Sequence, residues 1–115
     1  MLPKSQRLNL KKDFKWVAAG QKLETKYLKL FIRTGDNVIA RVGIAVSGKS
    51  FKKAHERNRA KRLVAEAFHK TYDSLPNTVN IVALPKAGIL EVKSGLVLLD
   101  LEETLKNKNL LIAEP

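Results

Sequence analysis

One stretch concentrates the residues that could do chemistry. Between Lys49 and Arg62 stand seven basic side chains, Lys49, Lys52, Lys53, Arg57, Arg59, Lys61 and Arg62, against one acid, Glu56. A guanidinium is a planar fork that pairs with two phosphate oxygens at once and stacks on bases. Asn58, set between two arginines, can pair with a phosphate, a sugar hydroxyl or a base edge. Every phosphate neutralised releases counterions, so several such contacts make binding steeply salt-dependent. Without a polyanion, the same charges only repel one another.

The stretch reads as the start of a helix. At 100° per residue, Asn58, Arg62, Glu66 and His69 lie opposite an apolar stripe of Ala60, Leu63, Val64, Ala67, Phe68 and Leu75. Arg57 falls in line with the stripe, where a charge cannot be buried unpaired. This predicts either a first turn that projects beyond the core or an Arg57 that reaches toward a partner. A merely solvated basic face is the alternative.

A second constellation lies upstream. In Lys26 to Arg33 the residues alternate, with Leu28, Leu30 and Ile32 on a core face and Tyr27, Lys29, Phe31 and Arg33 on the other. Arg41 joins that second face across an expected hairpin, with Gly43 and Ala45 beside it. Aromatic platforms interleaved with cations suit single-stranded nucleic acid. Ordinary packing of Tyr27 and Phe31 under a terminal helix would give the same pattern. Phe14 is open to both readings. Trp16 lies off the Phe14–Val17 stripe and is either a surface stacker or an edge-packing residue.

No catalytic residue or protein metal site is expected. His55 and His69 stand 14 positions apart, and the carboxylates form no cluster of the kind a metal-dependent nuclease needs. Gly43 to Ser50, GIAVSGKS, fits the phosphate-loop pattern. Its interior, Ile44 to Val46, continues a strand, so the match is read as chance.

The totals agree with a polyanion partner. With 22 Lys and Arg against 11 Asp and Glu, the 115-residue chain carries a net charge of +11. One domain over residues 1–115 is expected, and an apolar content of 44% suits a globular fold. The absence of cysteine excludes disulfides and thiolate metal sites. No apolar run matches a signal peptide or a bilayer span, so a soluble cytoplasmic protein without a membrane partner is expected. A helix-turn-helix DNA binder needs a helix pair around its recognition helix. Strands flank the basic helix here, so DNA is not the expected partner.

The elements that position these residues follow from periodicity. A helix is predicted over Leu10 to Ala19 with Gly20 as stop, and strands over Lys26 to Arg33 and Val38 to Val46. The turn at Gly35-Asp36-Asn37 would join the strands as an antiparallel hairpin, with Val38, Ala40, Val42, Ile44 and Val46 facing the core. A polar connection leads to a helix from Ala54 to Leu75, ended by Pro76 and Asn77. Val79 to Leu84 reads as a central strand buried on both faces. A last helix, Lys93 to Asn107, turns Leu98, Leu101 and Leu105 inward. The fold class is α+β, one small sheet with helices in the order αββαβα.

The segment ERNRAKRLVAEAF, Glu56 to Phe68, follows a strand ending in Val46-Ser47. With RLNLKKDFKWV at Arg7 to Val17 and YLKLFI at Tyr27 to Ile32, it resembles the bacterial ribonuclease P protein component over nearly the whole chain. The resemblance implies a fold like domain 2 of ribosomal protein S5, with a left-handed β-α-β crossover that general rules disfavour. It implies a subunit of a ribonucleoprotein endonuclease that removes 5′ leaders from precursor tRNA. The RNA of that enzyme carries the catalytic centre and uses Mg²⁺. Lys49, Lys52, Lys53, Arg57, Asn58, Arg59, Lys61 and Arg62 would then meet the catalytic RNA. Phe14 and Phe31 match aromatic positions of a leader-binding cleft between first helix and sheet, with Lys29 and Arg41 as its cations. Ala18 stands where an aromatic is common, Ala65 where an arginine is frequent, and Glu56 places an acid directly before the motif. The alternative is a structural ribosomal or other RNA-scaffold protein.

Overall fold

The structure, a computed structural model, describes residues 2–111. Helix α1 (Leu10–Ala18) starts at Asn9, whose side chain accepts from the Lys12 N–H at 3.3 Å, the usual N-cap contact. Four strands follow in one sheet: β1 (Gln21–Glu24), β2 (Leu28–Thr34), β3 (Arg41–Ile44) and β4 (Val79–Pro85). Between β3 and β4 lies α2 (Ala54–Thr71), and α3 (Ser94–Asn107) closes the fold. The sheet order is β1-β2-β4-β3.

The expected hairpin of the second and third strands does not form. β2 pairs antiparallel with both β1 and β4, while β3 pairs parallel with the far side of β4. Two forces explain the difference. β4 is buried at every position but Leu84, and a strand apolar on both faces belongs at the centre of a sheet. The segment after β2 is also stitched to the start of β4 rather than folded as a turn. The Asn37 amide donates to the carbonyls of Ile39 at 2.7 Å, Asn77 at 3.1 Å and Val79 at 3.2 Å. Asn80, buried in β4, donates to Arg33 O and Asn37 Oδ1. This crossing leaves Val38 83% exposed, against its expected place on the core face. Ala40 and Val42 are buried, and Ile44 and Val46 pack against the core.

Strand β1 was not expected. Its four residues hold one apolar side chain, Leu23, too little for an alternating pattern. The order of main elements is therefore αβββαβα. Helix α2 ends at Thr71, and a 3₁₀ turn, Tyr72–Ser74, carries the chain to buried Leu75.

The sheet separates two apolar clusters. On one face α2 and α3 cover Leu28, Leu30, Ile32, Ile81 and Val42 with Val64, Phe68, Val97, Leu101 and Leu105. On the other, α1 covers Val82 with Val17. Gly20 permits the close return from α1 to the sheet, since a Cβ there would lie 2.5 Å from Ile32 O. Gly43 does the same under Leu10, whose Cδ2 would be 2.6 Å away. A larger residue at Gly20 meets backbone and displaces the return from α1, whereas one at Gly43 forces the Leu10 side chain to move.

The Tyr72 hydroxyl donates to Ala40 O at 2.6 Å, tying the end of α2 to the approach to β3. Its pKa is raised, first by burial and then by Asp73, with Arg41 opposing. A folded pKa above the unfolded 10.0 adds stability that is complete below pH 10 and fades as pH rises through the folded value. Tyr72→Phe should abolish that alkaline component, read as a smaller difference in melting temperature between pH 9 and pH 11. Phe68→Ala should cost about 3–5 kcal/mol, measured by urea unfolding.

Candidate nucleic-acid interface

The loop from Ser47 and the first turns of α2 carry the basic cluster. The loop is anchored by Phe51, 1% exposed, whose N–H donates to Ser47 O. Lys49, Lys52 and Lys53 extend from it, all exposed. At the helix start Glu56 accepts from the Lys53 N–H at 3.4 Å, and its charge also suits the positive end of the helix. The acid within the basic motif thus serves the helix terminus.

Arg57 resolves differently from either expectation. Its Nη1 donates to Phe51 O at 2.9 Å and Lys52 O at 3.0 Å. Half-buried in line with the stripe, the guanidinium finds its partners in the loop it folds against, which satisfies the demand that a buried charge be paired. Asn58, Arg59, Lys61 and Arg62 are exposed. His55, Asn58, Lys61 and Arg62 surround a shallow depression of about 480 Å³. Among the described residues the ion pairs are those of Glu24 with Lys29 and Lys86, so none engages the α2 cations.

The aromatic constellation lies on the opposite face of the sheet, beneath α1. Phe14, Phe31, Ala45 and Leu84 are each partly buried in the smaller cluster. They form a partly exposed apolar surface at the junction of α1 and sheet. Lys29, beside Leu84 in register, shares the face of Phe31 and is exposed. Its Nζ lies 4.0 Å from Glu24 of β1. Phe31 packs in this cluster and keeps part of its surface open to solvent.

Three expected members do not join this surface. Arg41 shares this face, but β4 separates it from β2, and its neighbour in register is Asn80. That is four residues along β4 from the neighbour of Lys29, about 13 Å. Gly43 is buried under Leu10 and adds nothing to the open surface. Tyr27 precedes β2 and packs on the main core. Its N–H donates to Asp100 Oδ2 at 3.0 Å and to Thr25 Oγ1 at 3.2 Å.

The two faces meet at the edge of β3. There a groove of about 190 Å³ runs between α2, β3 and the N-terminal segment, bounded by Arg7, Leu8, Leu10, Lys61 and Ala65. Lys61 borders both this groove and the depression on α2. Arg7 was not singled out from the sequence, because only the fold brings it to the groove that Lys61 borders. The Gly43–Ser50 match to a phosphate loop has no such geometry. Ala45 still pairs with Ala83, and the next helix begins only at Ala54.

The sequence of the chain matches the family model described as Ribonuclease P over residues 2–109. A ribonuclease P protein component from Chlamydia muridarum is 43% identical over 77% of this chain and 75% of its own length. That of Pseudoalteromonas atlantica is 40% identical over 69% and 65%. The solved RNase P protein of Thermotoga maritima superposes with a TM-score of 0.77 at 30% identity, covering 88% of this chain and 96% of that one. A Staphylococcus aureus RNase P protein variant, at 21% identity, shares the fold with a TM-score of 0.81 over 95% and 92%. The Arg-Asn-Arg helix start and the aromatic surface on one small mixed sheet agree with these matches, and the family model over residues 2–109 places the chain in the ribonuclease P protein family.

Proposed function

We propose that the chain is the protein subunit of ribonuclease P. In this reading it binds the catalytic RNA through the start of α2 and the 5′ leader of precursor tRNA through the cleft under α1, and so promotes removal of the leader. Membership of the family, with the exposed cations of α2 set apart from the partly exposed Phe14 and Phe31, carries the proposal. The chemistry of the cleaved bond belongs to the RNA. Among the described residues no group of three or more His, Asp or Glu side chains could hold a metal ion. In this reading the RNA of the holoenzyme holds its Mg²⁺, and this chain contributes position and charge. No observation favours a ribosomal or scaffold protein. In the cell the protein would work in the cytoplasm, where tRNA matures.

Each side chain then has a distinct task. Arg59, Lys61 and Arg62 neutralise phosphates, and Asn58 adds a neutral hydrogen-bonding group between them. Lys49, Lys52 and Lys53 extend the same field along the loop. Arg57 holds the loop against the helix and so presents those lysines. In the cleft, Phe31 and Phe14 offer faces to unstacked bases and Lys29 meets a phosphate. Arg41 contributes from the far end of the face.

Reconstitution tests the reading: added to a bacterial catalytic RNA in low Mg²⁺, the chain should accelerate cleavage of precursor tRNA, and no acceleration would refute it. Arg59→Ala should weaken assembly with the catalytic RNA and reduce the slope of log affinity against log salt by about 1, with an unchanged melting temperature. Arg57→Ala should lower both affinity and melting temperature, because it also releases two loop carbonyls. Phe31→Ala should weaken binding of leader-bearing tRNA by about 1–3 kcal/mol and leave affinity for mature tRNA unaltered, measured by filter binding.

A further inference from the structure

Trp16 is the only tryptophan of the chain and is 39% exposed, although its neighbour Val17 is wholly buried. Its ring centroid lies 4.6 Å from the Arg33 guanidinium carbon, a cation–π distance. Arg33 Nη1 also donates to the Trp16 carbonyl at 3.0 Å. The indole is thus held in one orientation, and little side-chain freedom remains to be lost on binding. Its tip reaches Gly35, where a Cβ would lie 2.9 Å from Trp16 Cη2 and 2.9 Å from Asn80 Nδ2. Asn80 is the residue that separates Arg33 from exposed Arg41 across the sheet. The indole therefore lies on Arg33 with its tip toward Asn80, and the exposed Arg41 stands one strand beyond, about 10 Å from Arg33 between backbones; Lys12 and Lys15 of α1 add further exposed cations.

A fixed, half-exposed aromatic plane among cations has the makings of a stacking position for a base, with phosphates on either side. Phe31 and Arg33 point to the same face of β2, so this ledge continues the cleft about 7 Å further along the strand. We propose that Trp16, Arg33 and Arg41 form an additional binding position for the single-stranded leader. A nucleobase stacks on Trp16, and the flanking phosphates pair with the two arginines. This deepens the cleft reading and rests on it. It also gives Arg41 a role at the place where the sheet puts it.

The sole tryptophan reports directly on the ledge. In the complex of the chain with catalytic RNA, titration with precursor tRNA should quench Trp16 fluorescence, and mature tRNA without a leader should not. Trp16→Ala should weaken precursor binding roughly tenfold and leave mature tRNA unaffected, while Trp16→Phe keeps most of the affinity. A pair that only pinned the end of α1 would leave leader affinity unchanged in both variants. Absence of leader-dependent quenching overturns the ledge even where Trp16→Ala lowers stability. If Phe31→Ala still loses leader affinity in that case, the cleft stands without the ledge. If the leader adds no affinity to the unaltered complex, both fail.

Discussion

The burial of β4 on both faces is the constraint from which the rest of the molecule follows. Its side chains Ile81 and Ala83 point to the main core, and Val82 points to α1. A strand with two apolar faces needs cover on each side, and that requirement creates three layers from a chain of this length. It also forces β2 and β3 apart. The aromatic side chains of β2 then belong to the α1 face, while the basic helix packs on the other. The basic start of α2 and the aromatic cluster under α1 consequently lie on opposite sides of the sheet, and at the edge of β3 Lys61 borders both the depression on α2 and the groove beside β3.

Much of this was legible from residue patterns. The stripe of α2 was read almost residue for residue, because helical periodicity is local and the stripe is long. The central position of β4 followed from its nearly all-apolar run, with Asn80 the one polar residue between Val79 and Leu84. Strand partners were not legible, since pairing depends on contacts distant in sequence. The Gly35-Asp36-Asn37 segment looks like a hairpin turn, but Asn37 spends its amide on carbonyls of Asn77 and Val79, which no local window contains. Strand β1 escaped notice because its partner β2 supplies the order that four mostly polar residues cannot.

The candidate site was legible to a different degree. Composition and spacing pointed to the cations of α2, and their exposure follows from the same wheel that buries Ala60 and Val64. Arg57 posed a conflict that only the loop could resolve, through the carbonyls of Phe51 and Lys52. Arg41 was placed on the correct face but beside the wrong neighbours, a direct result of the misread hairpin. Trp16 sat off the stripe, and its contact with Arg33 depends on the return of the chain at Gly20, which brings β1 and β2 back beneath α1.

The Leu8 N–H donates to Val42 O at 3.1 Å, and Arg7 bridges Val42 in parallel. The N-terminal segment thereby occupies part of the open flank of β3, while the opposite flank is β1, short and mostly polar. Exposed strand flanks recruit other chains into continuous sheets, and a covering segment or charged residues prevent it. Residues 2–8 therefore cover part of the β3 flank through Arg7 and Leu8 and also wall the groove. A chain stripped of them would offer a bare backbone ladder to its neighbours, with aggregation as the consequence.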